Sequence, residues 1–262
     1  MKKHFKSIFA IAMTATIMLS MAACGGSSEP SSSENDGQEQ ASSGDVLIMG
    51  TNAEFPPYEF YEGQDIVGID VEIARAVAES MGKELKVEDM AFDSIIPAIS
   101  SDKVDIGAAG MTVTEERKQS VDFTDTYVKA SQVIMIKADN TEIAGAGDVE
   151  GKVIGVQLGT TGDLYASDVT DSVERYNKGF EAVQALSQGK IDAVIIDDQV
   201  AKALAADNAD VKVLDEPFTE EEYAIAVKKG NTELVEQINT ALADLKQSGK
   251  LQEIVDKYIT AE

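Results

Sequence analysis

The segment 108–117, AAGMTVTEER, has the residue types of an anion-binding site. Its first three residues are small and leave backbone N–H groups open to a ligand. Thr112 followed by Glu115 has the spacing of a capping box, which predicts a helix that begins at Thr112 with Arg117 in its first turn. N–H groups at a helix start and a planar guanidinium both bind carboxylates. The segment therefore indicates a carboxylate site, and a surface ion pair of Arg117 with Glu115 or Asp122 is the competing interpretation.

Two further turns combine glycine or polar residues with the end of an apolar run. The segment 157–163, QLGTTGD, carries two threonines that either contact a ligand or only cap a helix. The segment 195–199, IIDDQ, ends a strand with two aspartates that either meet a ligand ammonium or simply begin the next helix. The segment 51–60, TNAEFPPYEF, has aromatic residues that form either a ligand wall or core.

The elements that position these turns alternate between strands and helices. The patterns predict strands at 46–50, 85–90, 104–110, 131–138, 153–159, 172–177, 191–197 and 223–227. They predict helices at 71–80, 94–101, 161–167, 180–189, 200–208, 232–249 and 251–259. Such alternation is typical of an α/β fold with mostly parallel sheets covered on both faces. Ligands of such sheets bind where strands end and helices begin. Because the polar turns come from both halves of the chain, we expect a site between two lobes.

The first 44 residues are predicted to be a targeting segment and a linker. Basic residues, an apolar run from Ile8 to Met21 and a small pair precede Cys24, as in a secretory signal. The lone cysteine after the small pair resembles the lipobox of bacterial lipoproteins. That resemblance implies cleavage after residue 23 and a diacylated Cys24 that carries fatty acids such as palmitate. An ordinary signal with an incidental cysteine is the alternative. Residues 25–44, rich in Ser and Gly, read as a flexible tether.

The composition of the predicted mature chain excludes several classes of chemistry. Three of the 22 basic residues lie in the signal, which leaves 19 basic against 47 acidic residues and a formal charge of −28. Such a chain repels nucleic acid. The only histidine, His4, lies in the signal and the only cysteine is Cys24. This excludes zinc sites of cysteine and histidine, nucleophiles activated by histidine, and disulfides within the chain, and we expect no metal and no cofactor.

Five segments in the same order resemble polar-amino-acid solute-binding proteins of bacterial ABC importers. They read GTNAEFPPYEF, IVGIDVEIARAVAE, FDSIIPAISSDKVDIGAAGMTVTEERKQSVDFTDTY, GKVIGVQLGTTGD and GKIDAVIID. The resemblance covers 45–262 and implies the two-lobed periplasmic-binding-protein-like α/β fold with two hinge crossings. It implies that lobe 1 comprises 45–128 and 225–262, and that lobe 2 comprises 132–221. The crossings are expected near 127–131 and 221–225.

The resemblance also implies a role for each position of the site. It implies that Arg117 binds the α-carboxylate of the ligand and that Asp197 holds the α-ammonium. The carboxylate is expected to receive help from groups around Gly110 and Thr112 and from Thr161 of the other lobe.

The ligand side chain is expected to lie between Phe55 and Phe92, while Asn52 and Gln157 tune the choice of side chain. Glu54 could favour a cationic side chain, although a solvent-facing loop acid is an equally good interpretation.

The function implied is that of a receptor on the extracytoplasmic face of the cell membrane, lipid-anchored, which delivers a polar or charged amino acid to an ABC permease. We expect a monomer whose partners are the free amino acid, the permease and, through the lipid, the membrane. One alternative is a dehydratase of the cyclohexadienyl type on the same fold, which needs a positioned general acid or base. Another is a ligand-sensing partner of a membrane receptor. The identity of the amino acid stays open.

Overall fold

The computed structural model describes residues 45–206 and 208–259, which belong to one compact unit. The predicted signal, Cys24 and the linker lie outside the described residues. The strands are β1 Val46–Thr51, β2 Glu54–Phe55, β3 Glu59–Glu62, β4 Asp65–Val67, β5 Glu84–Asp89, β6 Ile106–Gly107, β7 Val121–Phe123, β8 Val128–Lys137, β9 Ile154–Gln157, β10 Val173–Tyr176, β11 Ala193–Asp197, β12 Val211–Val213, β13 Thr219–Tyr223 and β14 Ala226–Lys228. The helices are α1 Ile69–Ser80, α2 Ile95–Ser100, α3 Thr161–Val169, α4 Gly179–Ser187, α5 Asp198–Ala206, α6 Thr232–Ser248 and α7 Lys250–Tyr258.

Every predicted helix of the strand–helix alternation is present within a few residues of its expected bounds. The apolar spacing of α1 explains this agreement, because Val71, Ala74, Val77 and Ala78 all lie on its buried face. Pro97 is the third residue of the short helix α2, where no intrahelical N–H bond is lost.

Two predicted strands differ from the structure in their bounds. The apolar segment 104–110 contains only the two-residue strand β6. The segment 223–227 is divided between β13 and β14, which belong to different sheets. Strands β2, β3, β4, β7 and β12 were not predicted. They are at most four residues long, which is too short for an alternation of apolar and polar residues to be recognised reliably.

The first sheet has the strand order β5-β1-β6-β14-β7. β1 pairs with β5 and β6 in parallel, whereas β14 pairs with β6 and β7 in antiparallel fashion. Helices α1, α6 and α7 pack together around one buried cluster, and α2 contributes to another. Leu47 and Met49 of β1 enter the first cluster while Ile48 packs on the second, so this strand separates two apolar layers.

The second sheet has the order β10-β9-β11-β8-β12, with β13 paired to β8. Its central strand β11 is apolar on both faces. Val194 and Ile196 face one buried cluster, and Ala193 and Ile195 face another. Asp197 is the last residue of β11, so the register of this strand in the sheet determines where the Asp197 carboxylate lies.

Both sheets are mixed, so the prediction of mostly parallel sheets was wrong. The antiparallel pairs arise because the chain passes between the sheets twice. β8 pairs with β13 over Val128–Gln132 and with β11 and β12 further along. The predicted lobe boundaries, 45–128 with 225–262 and 132–221, agree with this division of the strands, and they stay a prediction.

The predicted helix at Thr112 is not present. The Thr112 hydroxyl donates to Glu221 Oε2 at 2.9 Å instead of capping a helix. Residues Met111 and Val113 form backbone hydrogen bonds with the segment 222–224, which holds this stretch extended. Arg117 begins a single 3-10 turn, Arg117–Gln119, and its N–H donates to the Thr114 hydroxyl. The long-range pairing therefore overrides the local capping signal.

Within the described ranges, no helix has the length and apolar character needed to cross a membrane.

Candidate ligand-binding site

A small cavity lies where the two sheets face each other. Its volume is about 20 Å³, enough for about one water molecule. Eight of the nine predicted ligand-binding residues line it, namely Asn52, Phe55, Phe92, Gly110, Thr112, Arg117, Gln157 and Thr161. The cavity is too small for an amino acid, so entry of such a ligand requires the lobes or the lining side chains to move.

Arg117 joins the two sides of the cavity. Its side chain is buried, and the guanidinium lies over the Phe92 ring at 5.2 Å from the ring centroid. Nη1 donates to the Thr112 carbonyl at 2.7 Å, and Nη2 donates to the Gly159 carbonyl at 3.1 Å. Burial lowers the pKa of Arg117, and the nearby Glu221 carboxylate opposes this change. Since neutral carbonyls leave the charge unpaired, the guanidinium remains available to an anion.

Asn52, directly after β1 of the first sheet, and Gln157, at the end of β9 of the second, meet at the cavity. Gln157 Nε2 donates to Asn52 Oδ1 at 2.8 Å, and Asn52 Nδ2 donates to the Met90 carbonyl at 2.8 Å. Both side chains are buried. Because these two amide atoms bond to each other, their hydrogen bond must open before either atom can contact a ligand.

Gly110 occupies a position that only glycine fills without strain. Its φ is +52°, and a Cβ atom there would lie 3.0 Å from the Phe55 ring. Its N–H donates to Asp70 Oδ2 at 2.8 Å, and the same oxygen accepts from the Tyr127 hydroxyl at 2.6 Å. The N–H of Gly110, predicted to help bind a carboxylate, is therefore already used in this arrangement.

Asp197 is not among the residues that line the cavity. Oδ1 accepts hydrogen bonds from the N–H groups of Gln199 and Val200 at 2.9 and 3.0 Å, and Oδ2 accepts from the Tyr223 hydroxyl at 2.6 Å. Burial raises the pKa of Asp197 to about 7, against the opposing effect of these donors. The carboxylate thus lies behind Tyr223, which does line the cavity.

Thr161 is the first residue of α3 and faces the cavity. The side chain that caps this helix is Thr160, whose hydroxyl accepts from the Asp163 N–H at 3.4 Å. Thr160 therefore caps the helix, both threonines line the cavity, and ligand contact by Thr161 stays a prediction.

Glu54 lies outside the cavity. It forms an ion pair with Lys178, and both side chains are partly exposed. Its carboxylate therefore has a partner within the protein, and its role in the choice of ligand stays open.

Several lining residues were not predicted, namely Glu59, Ala109, Gln132, Thr160 and Tyr223. Glu59 lies in the segment 51–60 that the sequence singled out for its aromatic residues, yet an acid in a short strand reads as exposed. Glu221 also was not predicted, although it binds Thr112 and Gln132. The available signal was the spacing of β13, in which Glu221 and Tyr223 alternate with exposed residues.

A larger open groove of about 1040 Å³ borders the cavity and shares Thr112 and Thr161 with it. Its wall includes the acids Asp168, Asp198, Glu220, Glu221 and Glu222. It lacks a buried arginine, so we take the smaller cavity as the candidate site. Over the part of the chain that the structure describes, no group of histidine, cysteine or acidic residues has a geometry that could hold a metal ion.

Comparisons with known proteins agree with this geometry. A family model described as bacterial extracellular solute-binding proteins, family 3, matches residues 47–261. The chain is 37% identical over 257 residues to the arginine-binding extracellular protein ArtP of Bacillus subtilis (strain 168), covering 95% of this chain and 96% of that protein. It is 32% identical over 273 residues to the ABC transporter glutamine-binding protein GlnH of the same organism, covering 99% and 98%. A solved structure of an ancestral arginine-binding protein bound to arginine superposes with a TM-score of 0.78 at 42% identity, covering 82% of this chain and 98% of that one.

Proposed function

The chain belongs to the bacterial extracellular solute-binding proteins of family 3, and from this we propose that it captures a free polar or charged amino acid for an ABC importer. Relatives that bind arginine or glutamine support this proposal. The family consists of binding proteins, so the dehydratase alternative is not supported.

The observation that carries the proposal is the buried Arg117 in a cavity between two lobes. A free amino acid is a zwitterion, and its carboxylate would pair with a guanidinium whose present partners are neutral carbonyls. Pairing the charge avoids the cost of leaving it buried and unmet. Arg117 would then bind the carboxylate, with Thr161 of the other lobe beside it.

The α-ammonium would bind at Asp197. For this, the Tyr223 hydroxyl must yield or share the carboxylate oxygen that it now contacts. Phe55 and Phe92 would flank the ligand side chain, and Asn52 and Gln157 would exchange their mutual bond for contacts with its end. Each role is carried by a residue at or directly behind the cavity.

Binding is expected to work by closure of the lobes. The bonds Arg117–Gly159 and Gln157–Asn52 join residues of different lobes. A ligand can stabilise the closed form only by its difference in affinity for the closed and open states. A permease could then recognise the closed shape.

A thermal-shift screen of the purified mature chain against the twenty amino acids, ornithine, citrulline and cystine tests the proposal. At least one free amino acid should raise the unfolding midpoint in a saturable way. Its α-amide should not, because that compound lacks the carboxylate. A screen in which no amino acid changes the midpoint would refute the proposal.

We also propose that the protein is anchored to the extracytoplasmic face of the membrane through lipid on Cys24. Two acyl chains hold a protein stably, whereas one does not. Cys24→Ala should release the protein into the medium or leave the signal uncut, as membrane fractionation with mass measurement would reveal. A substitution at Ser27 of the linker serves as the control. Normal processing and membrane attachment of Cys24→Ala would rule out the anchor.

A further inference from the structure

Glu59 is a buried acid that none of the roles above uses. It lies on β3, its side chain is fully buried, and it lines the same cavity as Arg117. Neither of its carboxylate oxygens has a hydrogen-bond partner among residues 45–206 and 208–259. A polar group without a partner in such a place is costly, and it indicates that something else is meant to meet it.

The surroundings of Glu59 make its charged form unfavourable. Burial raises its pKa well above the usual value, and the negative charges of Asp70 and Asp197 raise it further. The titratable or charged groups around Glu59 come from several elements: Tyr58 directly before β3, Asp70 on α1, Arg117 across the cavity, Tyr127 directly before β8, Asp197 on β11 and Tyr223 on β13. None of the nearest groups that act on Glu59 is a cation.

Closing the lobes over Glu59 therefore has two possible outcomes. Without a ligand cation beside it, the Glu59 carboxyl group must take up a proton or remain as an unpaired charge, and both oppose closure near neutral pH. With a cation beside it, the carboxylate can stay ionised and form charge-assisted hydrogen bonds. The lobes should therefore close more easily over a ligand that carries a second positive charge than over one that does not.

Gln157 supplies a second acceptor in the same cavity. Its Oε1 atom is buried, and the described part of the chain offers it no hydrogen-bond donor. Two unmatched acceptors around one small space suit a group with several N–H donors, such as a guanidinium or an ammonium. A neutral side chain with fewer donors would leave one of them unmet.

We propose that Glu59 is the counter-ion for a cationic ligand side chain, and that it makes closure selective for basic amino acids over neutral ones of the same shape. This inference rests on the proposed function, since it assumes that Arg117 and Asp197 take the α-carboxylate and the α-ammonium. It identifies the substrate class as amino acids with a positively charged side chain.

Arginine and citrulline form the probe pair for the test, because they have the same shape and differ in one charge. Calorimetric titration of the wild type should give an affinity for arginine at least tenfold higher than for citrulline. Glu59→Gln keeps the shape and removes the charge, so arginine should bind at least tenfold more weakly while citrulline binds equally well or better. We therefore expect the preference for arginine to disappear because the affinity for arginine falls while the affinity for citrulline does not.

Glu54→Gln is the matched control. Glu54 is the acid nearest in sequence on the preceding strand, but it is paired with Lys178 outside the cavity. We expect its variant to keep the preference for arginine. Thermal unfolding of each variant verifies that the fold is intact before titration.

A pH series on the wild type keeps the inference testable if Glu59→Gln does not fold. Lowering the pH protonates Glu59 and removes the counter-ion, so the ratio of arginine to citrulline affinity should fall. Protonation of Asp197 and Asp70 should weaken the binding of arginine and citrulline equally, so a change in their affinity ratio reports the protonation of Glu59.

A ratio that is independent of pH, or a Glu59→Gln variant that keeps the preference for arginine, would overturn the inference. If the wild type binds neutral amino acids but shows no preference for arginine, this inference fails while the proposed function stands. If the wild type binds no amino acid, the proposed function itself fails.

Discussion

Two regions beside the cavity bury a carboxylate to a similar degree, but only one of them provides hydrogen-bond donors to it. At the junction of β11 and α5, Asp197 accepts hydrogen bonds from two backbone N–H groups and one phenol. At the hairpin of β2 and β3, Glu59 has no such donors within the described ranges. The helix start supplies N–H groups to the first region, while the hairpin pairs its own N–H groups with strand partners.

The difference indicates which of the two carboxylates the protein can keep ionised without a bound cation. Donors stabilise an ionised carboxylate and lower its pKa, against the effect of burial. Asp197 has such donors, and burial raises its pKa only to about 7. Glu59 lacks them, and its pKa is raised well above the ordinary value. We infer that hydrogen bonds within the protein help to keep the Asp197 carboxylate ionised, whereas the Glu59 carboxylate needs a bound cation to stay ionised.

The largest effect is expected from Arg117→Ala, which removes the buried cation that lines the cavity. Binding should weaken by about 2–5 kcal/mol, the range for removing one member of a buried charge pair. Calorimetry with the best amino acid of the screen measures this loss. Arg75→Ala is the matched control, since Arg75 is exposed on α1. Binding of Arg117→Ala within twofold of the wild type would contradict the assigned role.

Asp197→Asn should have a smaller effect on the fold and a large one on the response to ligand. Asparagine keeps one acceptor oxygen for the helix N–H groups and loses the acceptor for Tyr223, which costs about 1 kcal/mol of unfolding free energy. Glu59→Gln, in contrast, loses no hydrogen bond and should unfold at the same denaturant concentration as the wild type or a higher one. Equal destabilisation of both variants would remove the contrast between the two regions.

Small-angle scattering tests the same variant for closure. The free wild type should be mostly open, and ligand should compact it, because two crossing strands restrict the motion to a hinge. Asp197→Asn should lose most of this compaction, while Asp198→Asn, its neighbour paired with Lys202, should keep it. Identical profiles for free and saturated wild type, with binding verified in the same buffer, would count against closure as the signal.

The predictable part of the site was the part that local segments encode. Phe55, Gly110, Arg117, Gln157 and Thr161 lie in segments whose residue types stand out, and the structure brings them to one cavity. The capping box at Thr112 was misread, because its hydroxyl finds Glu221, which is 109 residues away.

The unpredicted residues share a different property. The surroundings of these residues include groups far away in the sequence, such as Asp70 and Asp197 around Glu59 and Glu221 beside Gln132. An acid in a short strand has no pattern that distinguishes a buried position from an exposed one. Only the contacts of distant segments decide that.

Three features could be read without any knowledge of contacts: the α/β alternation, the resemblance to solute-binding proteins, and the absence of histidine and cysteine chemistry from the predicted mature chain. They follow from local periodicity, from sequence segments and from composition. The mixed pairing of the sheets, the contact of the Gly159 carbonyl with Arg117, and the lack of a donor for Glu59 in the described part of the chain depend on the folded arrangement. The physical reason is that burial and pairing are properties of residues brought together from far apart in the sequence.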